Sequence, residues 1–242
     1  GHALGCDRIA TGHYVRVTHG DGETALLRGL DDGKDQSYFL WGLPPEMLPK
    51  LLFPVGELTK SKVRERARTL ELTTADKPES QEICFVPTGD YRDLLRKRLG
   101  PVHPALEPGT IVRADGTLVG EHAGFAGFTV GQRRGLGGGF PEPMFVLEVR
   151  PETKEVVVGT RDELFGTAVA VRELNWLTDA PSPGDAVRVQ LRYRAPAVQA
   201  TVVDVAGDEM RLALGDAQRA ITPGQSAVLF SGDRVLGGGR IV

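Results

Sequence analysis

The chain has 242 residues, a formal net charge of −3, and apolar and charged fractions of 40% and 25%, which suit two or three small globular domains. No stretch reaches the roughly 18 apolar residues of a membrane span, and two cysteines do not make a disulfide framework. A cytoplasmic, reducing compartment without a membrane partner is expected. The start, GHALGCD, lacks both an initiator Met and the basic and apolar regions of a signal peptide, so a fragment or processed chain is expected. Charge is uneven, with basic runs at 60–68 and 92–98, and local patches rather than net charge decide whether a polyanion docks.

In chain order, 8–11 (RIAT) reads as a short buried strand that ends at Gly12-His13. A Gly there lets a ligand approach the backbone. A turn Gly and a surface His read equally well. Residues 14–18 and 24–27 form a hairpin across Gly20-Asp21-Gly22. The polar loop 29–37 follows and closes on the apolar 38–41 (YFLW). Thr59 caps a helix to about Leu70, with Val63, Ala67 and Leu70 on one face and Lys and Arg on the other. The stretch 76–91 (DKPESQEICFVPTGDY) sets Cys84 in a short apolar strand between charged and turn-forming residues. A second helix, capped by Asp90, buries Tyr91, Leu94, Leu95 and Leu99 and stops at Gly100-Pro101.

From 101 to 166 the texture turns Gly- and Pro-rich with short strands at 109–113, 117–119, 144–149 and 155–158. From 167 on, strands at 168–176, 186–193, 198–205, 210–214, 226–230 and 235–242 alternate with turns such as Pro183-Gly184-Asp185, Gly207-Asp208 and Gly232-Asp233. That spacing predicts a closed small β-barrel. The domains expected are 1–93, 94–166 and 167–242.

Several residues suit chemistry or binding, each with an ordinary alternative. Cys84 as a thiolate would be a nucleophile or sulfur carrier, and as a thiol a small core residue. Cys6 has only the structural reading. A Cys-His hydrolytic site with His13 or His122 as base stays open. No metal site is expected, because the cysteines lie 78 residues apart and the five His are scattered. Lys34-Asp35-Gln36 offers a cation for phosphate and two groups for a base edge or ribose, or is a solvated loop. The run 131–139 (GQRRGLGGG) pairs exposed amides with two Arg, which suits phosphates, but it fits neither GxxxxGK[ST] nor GxGxxG. Arg192-Tyr193-Arg194 joins charge to a stackable ring, as RNA binders do, and as an ordinary strand would.

The ordered set 10–14 (ATGHY), 30–39 (LDDGKDQSYF), 53–58 (FPVGEL), 80–85 (SQEICF), 120–124 (GEHAG), 129–137 (TVGQRRGLG), 191–194 (LRYR), 222–227 (TPGQSA) and 236–239 (LGGG) resembles the bacterial tRNA-specific 2-thiouridylases of the PP-loop ATP-pyrophosphatase superfamily. The resemblance is collinear over the whole chain. It implies a multidomain α/β plus all-β protein: part of a Rossmann-like PP-loop domain, a small β-rich central domain and a six-stranded type of carboxy-terminal β-barrel. It implies ATP-dependent 2-thiolation of the wobble uridine (U34) in the tRNA anticodon loop, with ATP and Mg²⁺ as cofactors. A sulfur-carrier or cysteine-desulfurase relay would supply sulfur.

Under the resemblance Cys84 carries the persulfide and Gly12 contacts ATP. His13, Lys34, Asp35, Gln36, Arg192, Tyr193 and Gln225 contact tRNA. The family's SGGxDS loop and other active-site cysteine find no match, so the chain alone is expected to be inactive and its first ninety residues to lack strand partners. The alternatives are a non-catalytic RNA-binding fragment and another PP-loop ligase.

Overall fold

A computed structural model describes residues 5–20, 23–77, 91–100 and 102–242, apart from the side chains of 91–93. The stretch around Cys84 and the cap at Asp90 lie outside the described residues. The elements in order are β1 Ile9–Ala10, β2 Val15–Gly20, β3 Glu23–Arg28, β4 Leu51–Leu52, α1 Lys60–Thr69, α2 Tyr91–Leu99, β5 Gly109–Arg113, β6 Leu118–His122, β7 Phe145–Arg150, β8 Glu155–Gly159, β9 Phe165–Trp176, β10 Ala186–Gln190, β11 Val198–Ala206, β12 Glu209–Arg219, β13 Ser226–Ser231 and β14 Arg234–Ile241. They form two compact units. One joins 1–77 to 167–216 and 222–242, and the other takes 78–166 and 217–221.

In the first unit six strands close in the order β13-β10-β11-β12-β9-β14, with β14 returning to β13, which is the expected barrel. Alternation fixes its inside. Along β12, Met210, Leu212 and Leu214 are buried while their neighbours are exposed. The glycines of β14 give the close approach a small barrel needs. A Cβ on Gly238 would meet the Ala227 carbonyl oxygen at 2.6 Å and the Trp41 ring at 3.2 Å.

The hairpin β2–β3 finds its partner in this barrel. Leu27 of β3 pairs with Arg234 of β14, and Arg28 N–H donates to Asp233 O at 2.9 Å. Val15, Leu26, Tyr38, Trp41 and Leu48 share one core with Val228, Phe230 and Val235. The amino-terminal segment thus has a strand neighbour and a core that the sequence reading did not supply. Gly56 lets the following loop lie against β2, since a Cβ there would meet Val15 O at 1.7 Å.

Four local readings need correction. β1 pairs in parallel with β4, but both its residues are exposed, because among the described residues it has a strand partner on one edge only. Helix α1 forms as expected, with the Thr59 hydroxyl accepting from Lys62 N–H at 3.4 Å. However, none of its residues is buried, and Leu70 is 68% exposed. In α2 Leu94 and Leu95 are half-buried while Leu99 is exposed. Cys6 is exposed rather than packed.

The second unit holds a four-stranded sheet ordered β6-β5-β8-β7, with β5 and β8 parallel and the other pairs antiparallel. Ile111, Leu136, Met144, Val146, Val156 and Val158 form its core.

Candidate nucleic-acid interface

The first unit gathers most of the sequence-derived contact residues into one network. Gly12 follows β1, and among the described residues nothing lies within 4 Å of where its Cβ would stand. His13 Nδ1 shares a hydrogen bond with the Thr11 hydroxyl at 2.8 Å. The next residue locks to the polar loop, since Tyr14 N–H donates to Gln36 Oε1 at 2.9 Å and Gln36 N–H donates to Tyr14 O at 3.1 Å. His13 and the loop 34–36 are therefore held side by side.

Asp35 is the loop's organiser. Its side chain is 9% exposed and pairs with Arg28 Nη1 at 2.8 Å. It also accepts from Gly29 N–H and Ser37 N–H at 3.0 Å, and from the Ser37 hydroxyl at 2.8 Å. Both carboxylate oxygens are thus engaged within the fold, and Gln36 Oε1 is engaged as well. Lys34 stays half-exposed beside them.

After Ser37 one ring turns in and the next turns out. Tyr38 is buried and donates its hydroxyl to Ser226 O at 3.0 Å, and burial pushes its phenol pKa up. Phe39 is 56% exposed and lies 4.5 Å, centroid to centroid, from Tyr193. The sequence reading carried β10 to Tyr193, but the strand stops at Gln190. Residues 192–195 make a tight turn instead, closed by Ala195 N–H on Arg192 O at 3.1 Å. Tyr193 and Arg194 occupy its tip, with the Arg194 guanidinium 5.4 Å from the Tyr193 ring. Gln225 lies one residue before the Ser226 that anchors Tyr38. Its Oε1 is buried and has no hydrogen-bond partner among the described residues.

Beside the turn lies a cleft of about 630 Å³ lined by Arg28, Asp35, Arg188, Tyr193, Arg194 and Phe230 among others. The Arg28 guanidinium carbon lies over Phe230, 3.6 Å from the ring centroid, and Arg28 donates to Gln190 Oε1 at 3.2 Å. Arg188 and Arg194 form no ion pair among the described residues. Asp32 and Asp233 line the cleft as well, and Arg28 is spent on Asp35 and the Phe230 ring, so it is Arg188, Arg194 and the Tyr193 ring that suit a phosphate and an unstacked base. Sequence reasoning missed Arg28, Phe39 and Arg188. Phe39 hid inside an apolar run, and Arg188 looked like any outward strand residue.

The second unit holds the glycine run 131–139. Leu136 plants it in the core, and Gln132 pins it by accepting from Thr129 N–H at 3.1 Å and donating to Arg134 O at 2.8 Å. Arg133 and Arg134 are exposed at its edge. His122 is used structurally: Nδ1 accepts from Gly124 N–H and Nε2 donates to Lys154 O, both at 3.1 Å. Burial lowers its pKa. Among the described residues no group of His, Cys, Asp or Glu is placed to hold a metal ion, and no helix is long and apolar enough to cross a membrane.

Three family models match in succession. A tRNA methyl transferase HUP domain covers 1–88, a tRNA methyl transferase PRC-barrel domain covers 95–160, and an aminomethyltransferase β-barrel domain covers 167–241. A tRNA-specific 2-thiouridylase of Carboxydothermus hydrogenoformans is 46% identical over 99% of this chain and 66% of its own length. Relatives of the same name from Acidithiobacillus ferrooxidans (46% identical, 100% of this chain and 68% of theirs) and Rhodospirillum centenum (48%, 99% and 62%) agree. The chain spans about two thirds of the length of the curated relatives it matches. The collinear order of motifs, the closed barrel and this identity lead to one conclusion: the chain belongs to the tRNA-specific 2-thiouridylase family.

Proposed function

We propose that the chain works in ATP-dependent 2-thiolation of the wobble uridine of tRNA. The observation that carries this reading is the Phe39–Tyr193 ring pair beside a cleft that Arg188 and Arg194 line, with the loop 34–36 hydrogen-bonded to Tyr14, the residue after His13. ATP turns the uridine C2 oxygen into an adenylate with loss of pyrophosphate, because a carbonyl oxygen is otherwise a poor leaving group. The terminal sulfur of a persulfide on Cys84 attacks C2, and AMP departs with the oxygen. A second thiol then attacks Cys84 Sγ. The S–S bond breaks, C2 keeps the sulfur, and Cys84 is left in a disulfide. A persulfide-donating relay protein reloads it after reduction.

Gly12, open at the end of β1, suits a backbone contact to ATP, whose phosphates would bring Mg²⁺. His13, Lys34, Arg192, Tyr193 and Gln225 serve as tRNA contacts, Lys34 and Arg192 on phosphates. Asp35 and Gln36 act on the tRNA through the loop they brace. Residues 1–93, 94–166 and 167–242 are the three functional parts. The site works in the cytoplasm, where thiols stay reduced.

A chimera tests this. These 242 residues replace the matching segment of the Carboxydothermus relative, and 2-thiouridine is read by retardation of the tRNA on a mercury-containing gel. The chimera thiolates its tRNA, and Cys84→Ser abolishes thiolation while tRNA binding persists. Thiolation by the Ser variant would remove Cys84 from the mechanism.

A further inference from the structure

We infer that Phe39, paired with Tyr193, is an RNA-stacking residue: the two rings form a platform for one unpaired base, with Arg194 and Arg188 receiving the flanking phosphates. The inference deepens the proposed tRNA-binding role and rests on it. Phe39 is 56% exposed, and leaving apolar surface in water forgoes burial energy that a stacked base would restore. Here the exposure is enforced. Asp35 fixes Ser37 through its N–H and its hydroxyl, and Gln36 O accepts from Phe39 N–H at 3.0 Å. Tyr38 is bolted to Ser226. With Ser37 and Tyr38 turned into the core, Phe39 is the residue of this 3-10 turn that reaches the surface.

The partner ring stands next to a strained residue. At the tip of the turn 192–195, Arg194 takes φ of +63°, where glycine is the economical residue and an L side chain costs roughly 1 kcal/mol. Glycine would relieve the turn but remove the guanidinium over the Tyr193 ring. Strain retained at such a position is characteristic of ligand-binding turns. Three rings then gather: Tyr38 meets Phe39 edge-on at 5.5 Å and Tyr193 at 6.1 Å, while Phe39 and Tyr193 are tilted by 48°. Tyr38 is buried at the back, and the other two reach the surface. Arginines share the rim with the carboxylates of Asp32 and Asp233, the latter paired to Arg16. Arg188 and Arg194 line the adjoining cleft without an ion pair among the described residues, and exposed Arg192 stands beside the turn. Arginines beside aromatic rings favour RNA over an apolar protein partner, because that combination matches a base followed by its phosphates.

The test uses the full 242-residue chain and an anticodon stem-loop RNA with 2-aminopurine at one unpaired loop position, moved along the loop in turn. Anisotropy reads affinity, and quenching of 2-aminopurine reads stacking. Phe39→Leu keeps apolar bulk and removes the π-face, and Phe39→Trp restores it. The expected result is a roughly 5- to 150-fold loss of affinity for Phe39→Leu, loss of quenching at one loop position, and recovery of both in Phe39→Trp. Equal affinity and quenching in wild type and Phe39→Leu would overturn the inference and leave the tRNA-binding role intact. Failure of the wild-type chain to bind the RNA would remove both. Sedimentation covers the other occupant. If Phe39→Leu dissociates a dimer without changing RNA affinity, the rings are a contact between copies and the inference falls. Should Phe39→Leu fold poorly, the Trp variant still decides, since it must quench at least as strongly as wild type.

Discussion

Replacing Asp35 by Ala removes the acceptor for four donors at once: two backbone N–H groups, the Ser37 hydroxyl and the Arg28 guanidinium. Ser37 is fully buried, so its two donors have no access to bulk water. Each buried donor left unmade costs about 1–3 kcal/mol, and breaking a buried ion pair costs about 3–5 kcal/mol. Arg28 keeps Gln190 and the Phe230 face, and its side chain is 21% exposed, so the charge is only partly stranded. The Asp35→Ala cost is therefore about 3 kcal/mol, near the lower end. Asp35→Asn retains an acceptor for the two amides and costs about 1–2 kcal/mol.

The protein contains its own reporter. Both tryptophans, Trp41 and Trp176, belong to the unit that holds Asp35, so tryptophan fluorescence follows that unit. In urea, with a slope of about 1–3 kcal/mol per molar, the Ala variant's midpoint falls by about 1–3 M and the Asn variant's by less. A shift below about 0.3 M for Asp35→Ala would refute the claim that this carboxylate holds the loop together.

Two further outcomes follow from the same structure. Gly238→Ala drives a methyl group against Ala227 O and the Trp41 ring, and should lower the stability of the same unit by about 1–3 kcal/mol, with a changed Trp41 emission maximum. An unaltered midpoint and spectrum would mean that β14 has room to spare. His122 makes the second unit sensitive to acid. Its pKa is lowered in the fold, chiefly by burial, so the folded state binds fewer protons than the unfolded one. Its contribution is complete above the unfolded value of about 6.5 and is lost as pH falls through the depressed folded value, by at most about 1.4 kcal/mol per pH unit. Hydrogen exchange in β5 and β8, corrected for the intrinsic rate, should show protection falling below about pH 6.5 and flattening in His122→Gln. Identical profiles for the two proteins would rule His122 out as the sensor.

What the sequence displayed, it displayed through local rules. Alternation along 210–214, the spaced turns and the Thr59 cap all act within a few residues, and the strands of the barrel and helix α1 formed where those rules put them. The readings that failed were those that depended on a neighbour. Whether RIAT is covered, whether Leu70 is packed and whether Cys6 is hidden are decided by segments distant in sequence. Tyr193 shows the same limit. An Arg-Tyr-Arg triplet alternates like a strand, and only the turn closed by Ala195 N–H, with Arg194 at positive φ, shows that it is a tip.

The candidate site divides in the same way. By itself the sequence determined the residue types that suit RNA, the order of motifs that mark the family, and the barrel's strands, because side-chain chemistry and hydrophobic period are written residue by residue. Only the tertiary structure decided which of those residues face outward. Asp35 and Gln36 look like contact residues in a loop, yet their oxygens are spent on the fold, since a buried carboxylate holds its place by satisfying four nearby donors. Phe39 looks like core in an apolar run, yet it is exposed, because Ser37 and Tyr38 take the buried positions of the 3-10 turn 37–39 and leave the third to the surface.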